Sequence, residues 1–138
     1  MTASLIHDSL YQGSIPPMGN YLKERGFDVL VLCAKEFQPS STLYPGVLVL
    51  HCPLEDDEPT TQELQLANRA ADMVSMALKQ GKKVLVTCYM GWNRSGLVTG
   101  MALCKTYGWK GLDAVSQIKA RRENALSNKH FVRVLSKL

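Results

Sequence analysis

The side chains with the clearest capacity for chemistry lie in one short segment, in which Cys88 precedes Arg94 by six residues. A cysteine thiolate attacks electrophiles readily, and a guanidinium donates two parallel hydrogen bonds that fit two oxygens of a phosphate group. Gly91, between them, allows the tight turn that a short loop needs. The segment therefore predicts a loop in which Arg94 holds a phosphate while Cys88 attacks its phosphorus atom.

The elements around this loop favour the same chemistry. The apolar run Val84–Val86 precedes Cys88 as a predicted strand, and the apolar segment Ser95–Tyr107 follows as a predicted buried helix. Open α/β sheets bind ligands where such strands end, and a helix N-terminus favours a phosphate dianion and a thiolate. The predicted phosphate-binding residues are Tyr89, Met90, Gly91, Trp92, Asn93 and Arg94.

The rest of the chain predicts the elements that position the loop. Further strands are expected at Leu10–Gln12, Val29–Cys33 and Val47–Cys52, the last two buried on both faces. A helix is expected to begin at a capping box of Thr60 and Glu63 and to end at Gly81. The helices after Arg94 are expected at Ser95–Tyr107, Leu112–Arg122 and Asn128–Leu138. This order predicts an α/β fold with a central, mostly parallel sheet of four to five strands flanked by helices.

Composition limits the class of protein. The chain has 138 residues, 46% of them hydrophobic, which suffices for one domain spanning 1–138. A net charge of +4 favours anionic ligands without requiring nucleic acid. No apolar run is long enough for a membrane span, and the cysteines and histidines lack metal-ligand spacing, so neither membrane nor metal is expected. The four cysteines are predicted to be free thiols of a soluble, cytoplasmic protein.

Residues Val86–Gly96 resemble the signature loop of the cysteine-dependent protein tyrosine phosphatases, and the short chain is similar to their dual-specificity branch. The resemblance covers nearly the whole chain, including Leu10–Ser14, Cys52–Asp56 and the pattern Arg121-Arg122 followed by Asn128 and Phe131. It implies hydrolysis of phosphotyrosine, and also of phosphoserine and phosphothreonine, in proteins through a phospho-cysteine intermediate. It also implies a monomer that takes a phosphorylated protein as partner and needs no cofactor.

The resemblance further implies a general acid about thirty residues before the cysteine. The acidic run Glu55–Glu58 lies 30 to 33 residues before Cys88. Asp56 aligns best with the family's acid, and Asp57 is the second candidate. Ser95 matches the hydroxyl residue that hydrogen-bonds the leaving thiolate when the phospho-cysteine is hydrolysed, although a helix-capping role is equally compatible with its position.

One departure from the family pattern leaves alternatives open. Thr87 stands where the family has a histidine, and a threonine carries no charge with which to activate Cys88. A phosphate-binding module with little or no catalysis is therefore an alternative. A second alternative is an RNA 5′-triphosphatase, with nucleic acid as its partner, because Gly91–Gly96 resembles the loop of capping enzymes. Phosphoinositide phosphatases of the same superfamily favour lysines in this loop, so the resemblance disfavours phosphoinositide headgroups for a loop that has none.

Four further residue groups have simpler expected roles. Tyr89 and Trp92 either line the cleft or pack against neighbouring helices. Asn128 is expected to cap the last helix. Cys33 is expected beside Cys88, as an inert buried thiol rather than a disulfide partner. The C-terminal basic residues, including Arg122, are expected on a solvated helix face.

Overall fold

Five strands form one central sheet in the computed structural model, which describes residues 1–138. The strands are β1 (Ala3–His7), β2 (Leu10–Gly13), β3 (Val29–Ala34), β4 (Leu48–Leu54) and β5 (Val84–Thr87). Their order across the sheet is β1-β2-β5-β3-β4, and only the β1–β2 pair is antiparallel. The predicted α/β class with a mostly parallel sheet is confirmed.

The helices are α1 (Tyr21–Glu24), α2 (Thr61–Lys79), α3 (Arg94–Tyr107), α4 (Gly111–Arg121) and α5 (Lys129–Ser136). A short 3-10 turn, Ser41–Leu43, lies between β3 and β4. The larger core lies between one face of the sheet and α2–α5. The smaller core covers the other face and consists of Leu22, Phe27, Leu30, Leu32, Tyr44 and Leu85. Alternate residues of β3 enter the two cores, as the period of two in a strand requires.

The strand predictions succeed at the centre of the sheet and fail at its edges. All residues of β3 and β5 are buried, because both strands have neighbours on either side and cores above and below. The prediction that Val47–Cys52 is buried on both faces is wrong, because β4 is an edge strand and Leu48 is 54% exposed. The opposite edge strand, β1, was not predicted, since only Ile6 of its five residues is buried.

The helix that follows the acidic run begins as its sequence predicts. Thr60 Oγ1 accepts from the Glu63 N–H at 3.1 Å, and the Glu63 carboxylate accepts from the Thr60 N–H at 3.1 Å. The second Glu63 oxygen accepts from the Glu55 N–H at 2.8 Å, which ties the acidic run to the helix. Burial favours a neutral Glu63, but these backbone donors prevail and hold the pKa of the carboxyl below its ordinary value.

Among the helices, none combines the length and apolar character that crossing a membrane would require.

We expect Thr60→Ala to destabilise the protein by about 1 kcal/mol, because it removes the side-chain acceptor that caps α2. Urea-induced unfolding measures the loss. Thr61→Ala is the matched control, since Thr61 is exposed and its side chain makes no hydrogen bond. Equal losses in the two variants would contradict a capping contribution from Thr60.

Candidate active site

Cys88 lies in the loop between β5 and α3, at the carboxyl end of a central strand. Its side chain is buried, and the residue is 4% exposed. Gly91, in the same loop, has φ +74°, and a Cβ there would lie 2.6 Å from the carbonyl oxygen of Gly13. Both the dihedral angle and the close backbone contact require glycine at this position. The tight turn predicted from Gly91 is present.

The carbonyl groups of the loop point away from the cleft because buried donors bind them from behind. Arg122 donates from Nε to Gly91 O at 2.7 Å and from Nη2 to Met90 O at 3.0 Å. Gln12 Nε2 donates to Gly91 O at 2.9 Å, and the Leu126 N–H donates to the Trp92 carbonyl at 2.9 Å. These four bonds fix the orientation of three consecutive peptide groups.

The N–H groups of the same peptides consequently face the opposite direction. In a trans peptide the N–H of one residue points away from the carbonyl of the residue before it. The backbone N–H groups of Tyr89 to Asn93 donate to no group of the protein. Five unpaired donors on a tight loop, followed by the N-terminus of α3, form a concavity suited to an oxyanion.

Ser95 and Thr87 flank the loop and differ in their relation to Cys88. The buried Ser95 hydroxyl lies 3.2 Å from Cys88 Sγ, within hydrogen-bonding distance of the sulfur. Thr87 Oγ1 instead donates to the Val31 carbonyl at 2.9 Å, which joins β5 to β3. The hydroxyl at the position of the family's histidine therefore joins two strands of the sheet and makes no hydrogen bond to the Cys88 sulfur.

Arg94 is positioned by contacts that use only one of its nitrogens. Nη1 donates to Glu36 Oε2 at 2.6 Å and to the Leu54 carbonyl at 3.2 Å. The hydrogen bond from Arg94 holds the pKa of the Glu36 carboxyl below its ordinary value. Nε and Nη2 of Arg94 have no protein partner. That pair of nitrogens is the edge of a guanidinium that binds two phosphate oxygens.

The acidic run brings one carboxylate to the cleft. Asp56 lines a cavity of about 460 Å³ together with Glu36, Cys88, Tyr89, Met90, Trp92, Asn93 and Arg94. Asp57, the second candidate acid, does not line this cavity, and its Oδ1 accepts from the Glu58 N–H at 2.8 Å. Tyr89 and Met90 are exposed at the mouth, whereas Trp92 is half-buried. The aromatic residues thus lie at the cleft.

Asn93 lines the cavity, and its side chain is bound to the acidic run. Its Nδ2 donates to Asp56 Oδ2 at 3.1 Å, a contact that leaves its backbone N–H free for the cradle. Asn128 caps α5 as expected, through Oδ1 and the N–H groups of His130 and Phe131. Its Nδ2 in addition donates to Asp56 Oδ1 at 2.8 Å, a contact that the sequence did not suggest.

Arg122 is the residue whose predicted environment is wrong. It was expected on a solvated helix face, yet it is 7% exposed and has no carboxylate partner. Burial lowers the pKa of its guanidinium, while attraction to Cys88 acts in the opposite direction. Arg122 therefore places a buried positive charge directly behind the loop. The helix predicted over Leu112–Arg122 includes Arg122, so only the Arg121-Arg122 pattern of the resemblance set this residue apart in the sequence, whereas in the structure α4 ends at Arg121.

Cys33 and Cys52 are buried free thiols on neighbouring strands. Burial and a hydrogen bond to Cys52 raise the pKa of the Cys33 thiol. A thiol held in its protonated form is a poor nucleophile. The environment of Cys33 is that of an inert core residue.

Residues 10–138 match the family described as the dual specificity phosphatase catalytic domain. Human Protein phosphatase Slingshot homolog 1 is 32% identical over 135 residues, which cover 96% of this chain and 13% of the relative. Dual specificity protein phosphatase 1 of Arabidopsis thaliana is 30% identical over 140 residues, which cover 98% of this chain and 68% of the relative. The chain thus spans about an eighth of the first relative's length and two thirds of the second's.

Solved structures show the same architecture. Human DUSP28 superimposes with a TM-score of 0.84 at 26% identity, over 98% of this chain and 90% of that one. A mouse putative dual specificity phosphatase, complexed with zinc tungstate, gives the same TM-score and identity over 98% of this chain and 84% of that one. On the extent of the family match and on these relatives, the chain belongs to the dual specificity phosphatase catalytic domain family.

Proposed function

We propose that this protein hydrolyses phosphotyrosine, and also phosphoserine and phosphothreonine, in proteins through a phospho-cysteine at Cys88. The observation that carries the proposal is the position of the Cys88 thiol in a loop whose unpaired N–H groups and Arg94 edge converge on one cavity. Such a cradle neutralises the charge that a phosphoryl group carries as its bonds are exchanged. Residues 1–138 act as one catalytic domain in this proposal.

In the first step the loop N–H groups and the free nitrogens of Arg94 bind the phosphate oxygens. Cys88 Sγ attacks phosphorus, so that an S–P bond forms and the bond to the ester oxygen breaks. Asp56 lines the same cavity and gives its proton to the departing oxygen. The products of this step are a free hydroxyl group on the protein substrate and phospho-Cys88.

In the second step water attacks the phosphorus of phospho-Cys88. The Asp56 carboxylate takes the proton of that water, the S–P bond breaks and inorganic phosphate leaves. Ser95 supports this step, because its hydroxyl, 3.2 Å from Sγ, donates to the sulfur as negative charge returns to it. The buried guanidinium of Arg122 stabilises the same negative charge on the sulfur. Thr87 does not, because its side chain is uncharged and its hydroxyl donates to the Val31 carbonyl.

The charge of the cavity favours a monoester over a polyphosphate. Arg94 is the only cationic residue among its lining, and Glu36 and Asp56 add two carboxylates. One guanidinium and a ring of N–H groups match the charge of a single phosphate dianion. A triphosphate end or a multiply phosphorylated inositol would bring further negative charge toward Glu36. We therefore propose a phosphoprotein as the substrate, in preference to triphosphate-ended RNA or a phosphoinositide lipid.

We place the protein in the cytoplasm and propose that it acts as a monomer. All four cysteines are free thiols, and the nucleophile itself must stay reduced to work. The proposed mechanism assigns each of its steps to residues of this chain, so it requires no residue from a second copy.

We expect Cys88→Ser to lower turnover of p-nitrophenyl phosphate by a thousandfold or more, at least about 4 kcal/mol of transition-state stabilisation. A serine hydroxyl at neutral pH lacks the ionised form that attacks phosphorus. Steady-state release of p-nitrophenol measures the loss, with Cys104→Ser as the matched control, because Cys104 lies outside the cavity. Wild-type turnover by Cys88→Ser would exclude the mechanism.

We expect Asp56→Asn to slow hydrolysis of a phosphotyrosine peptide by about 10²–10⁴-fold, the usual contribution of a general acid. Asp57→Asn is the matched control and should retain most of the activity, since the Asp57 carboxylate lies outside the cavity. The measurement is kcat for each variant. A larger loss in Asp57→Asn than in Asp56→Asn would assign the acid to Asp57.

A panel of four substrates tests the substrate class: a phosphotyrosine peptide, a phosphothreonine peptide, a phosphoinositide and triphosphate-ended RNA. We expect the highest kcat/KM with the two peptides, because the cavity offers one guanidinium for one phosphate. Phosphate release from the RNA that exceeds that from the peptides, and that Asp56→Asn leaves unchanged, would instead establish the triphosphatase.

A further inference from the structure

We propose that Asn93 and Asn128 are positioning residues that together hold the Asp56 carboxylate in the cleft for proton transfer. The inference rests on the proposed function, in which Asp56 is the general acid. It concerns the two side-chain amides that approach this carboxylate from two different elements, the Cys88 loop and the N-terminus of α5.

The two amides bind one carboxylate oxygen each. Asn93 Nδ2 donates to Oδ2 at 3.1 Å, and Asn128 Nδ2 donates to Oδ1 at 2.8 Å. With both oxygens bound, the carboxylate has a fixed rotation as well as a fixed position. A general acid acts only within about 2.6–3.2 Å of the atom that it protonates. Two donors of this kind set that distance before substrate arrives.

Both amides are themselves held by other groups. Asn93 is 7% exposed, and its Oδ1 accepts from the Asn128 N–H at 2.8 Å. Asn128 Oδ1 accepts from the N–H groups of His130 and Phe131 at the start of α5. Each amide oxygen is thus occupied by N–H donors, so each Nδ2 faces Asp56. The second acceptor of Asn93 Nδ2 is Ser127 Oγ, and that of Asn128 Nδ2 is the Asp57 carbonyl, both at 3.2 Å. Rotating either amide by 180° would place its oxygen against a carboxylate oxygen of Asp56, and two acceptors cannot form a hydrogen bond.

Little else holds Asp56 in place. Residues 55 to 58 are all exposed, so no apolar packing anchors this run. The remaining contacts of the run act on its other residues. The Glu55 N–H donates to Glu63, the Glu55 carboxylate accepts from Lys35 at 3.0 Å, and Asp57 Oδ1 accepts from the Glu58 N–H. The Asp57 carbonyl accepts from Nδ2 of Asn128 itself at 3.2 Å. Exposed segments with few buried contacts are the first to open locally. The two asparagine amides therefore hold the Asp56 carboxylate at the cavity that it lines together with Cys88.

Helix capping alone does not account for this arrangement. A cap at Asn128 needs only Oδ1, and serine performs it as well as asparagine. The contact from Nδ2 to Asp56 adds nothing to the helix. Asn93, which precedes Arg94 directly, caps no helix through its side chain. The shared feature of the two residues is the carboxylate between them.

The test uses Asn128→Ser and Asn93→Ser with two substrates. Serine keeps the cap of α5 but lacks the amide donor and is too short to replace it, so Asn128→Ser should fold normally. The phosphotyrosine peptide has a basic leaving group that needs a proton, whereas 2,4-dinitrophenyl phosphate has one that leaves without it. Lys129→Ala is the matched control, because Lys129 is exposed beside the same cap and makes no side-chain hydrogen bond.

We expect each asparagine variant to lose about 10- to 100-fold in kcat/KM for the peptide, since a displacement of about 1 Å at a reacting group has that cost. The value of kcat/KM covers only the steps up to release of the leaving group, so it excludes the later hydrolysis of phospho-Cys88, in which Asp56 acts as the base. For 2,4-dinitrophenyl phosphate kcat/KM should therefore stay within about twofold of the wild type, because its leaving group departs without a proton. In an Asp56→Asn background, adding Asn128→Ser should have no further effect on the peptide. A general structural defect would lower kcat/KM for both substrates by a similar factor.

Three results would overturn the inference. Equal losses on both substrates in both variants would assign the amides to stability alone. Full activity of both variants on the peptide, with Asp56→Asn still slow, would show that the acid needs no such support and would leave the proposed function intact. An Asp56→Asn variant without leaving-group dependence would instead remove the acid from the proposed function, and the role of the amides with it.

Discussion

The carbonyl oxygens of Met90, Gly91 and Trp92 are bound from behind by Arg122, Gln12 and the Leu126 N–H, and the rest of the site depends on this attachment. A free loop would turn some carbonyls toward an incoming anion and repel it. Fixing them in the interior commits the opposite N–H groups to the cleft before any ligand binds. Folding itself orients these peptide dipoles, so no further free energy is needed to orient them when the ligand binds, an arrangement known as electrostatic preorganisation.

The two arginines next to the loop, Arg122 and Arg94, have different partners and different roles. Arg122 supplies a buried cation that has only neutral oxygens for partners, so its charge is felt at Cys88 rather than cancelled nearby. Arg94 has the reverse arrangement, since Glu36 binds one nitrogen and keeps the guanidinium plane fixed while two nitrogens stay unpaired. In the proposed mechanism, Arg122 stabilises the loop and the Cys88 thiolate, and Arg94 binds the phosphate. A lysine could do neither, because it lacks the planar set of donors.

The centre of this fold was predictable from sequence because its signals are local. A continuous apolar run, a glycine, and an apolar helix placed Cys88 and Arg94 correctly, and the capping box of Thr60 and Glu63 is a four-residue pattern. The contacts that complete the site are not local. Glu36 lies 58 residues from Arg94, and Asn128 lies 72 residues from Asp56. Nothing in the spacing of such pairs distinguishes them from surface residues.

Arg122 shows why such predictions fail. A basic residue at the end of an amphipathic helix is usually solvated, but here the backbone leaves the helix in an extended conformation at this residue. That turn carries the side chain inward, where Thr2 Oγ1 and Ser4 Oγ accept from it at 2.9 and 3.1 Å. Only the folded hairpin of β1 and β2 reveals the acceptors. Edge strands of this kind have weak sequence patterns, so their partners are equally hard to foresee.

The hydrogen bonds from Arg122 to Thr2 and Ser4 also show which N-terminal residues the site needs. A fragment trimmed to the stretch matched to the family, residues 10–138, would keep every residue that faces the cleft. It would nevertheless lose two of the acceptors that hold the guanidinium, together with the strand that packs Gly13 against the loop. The stretch matched to the family begins after β1, whereas the contacts that hold the loop include residues of β1 and Thr2 before it.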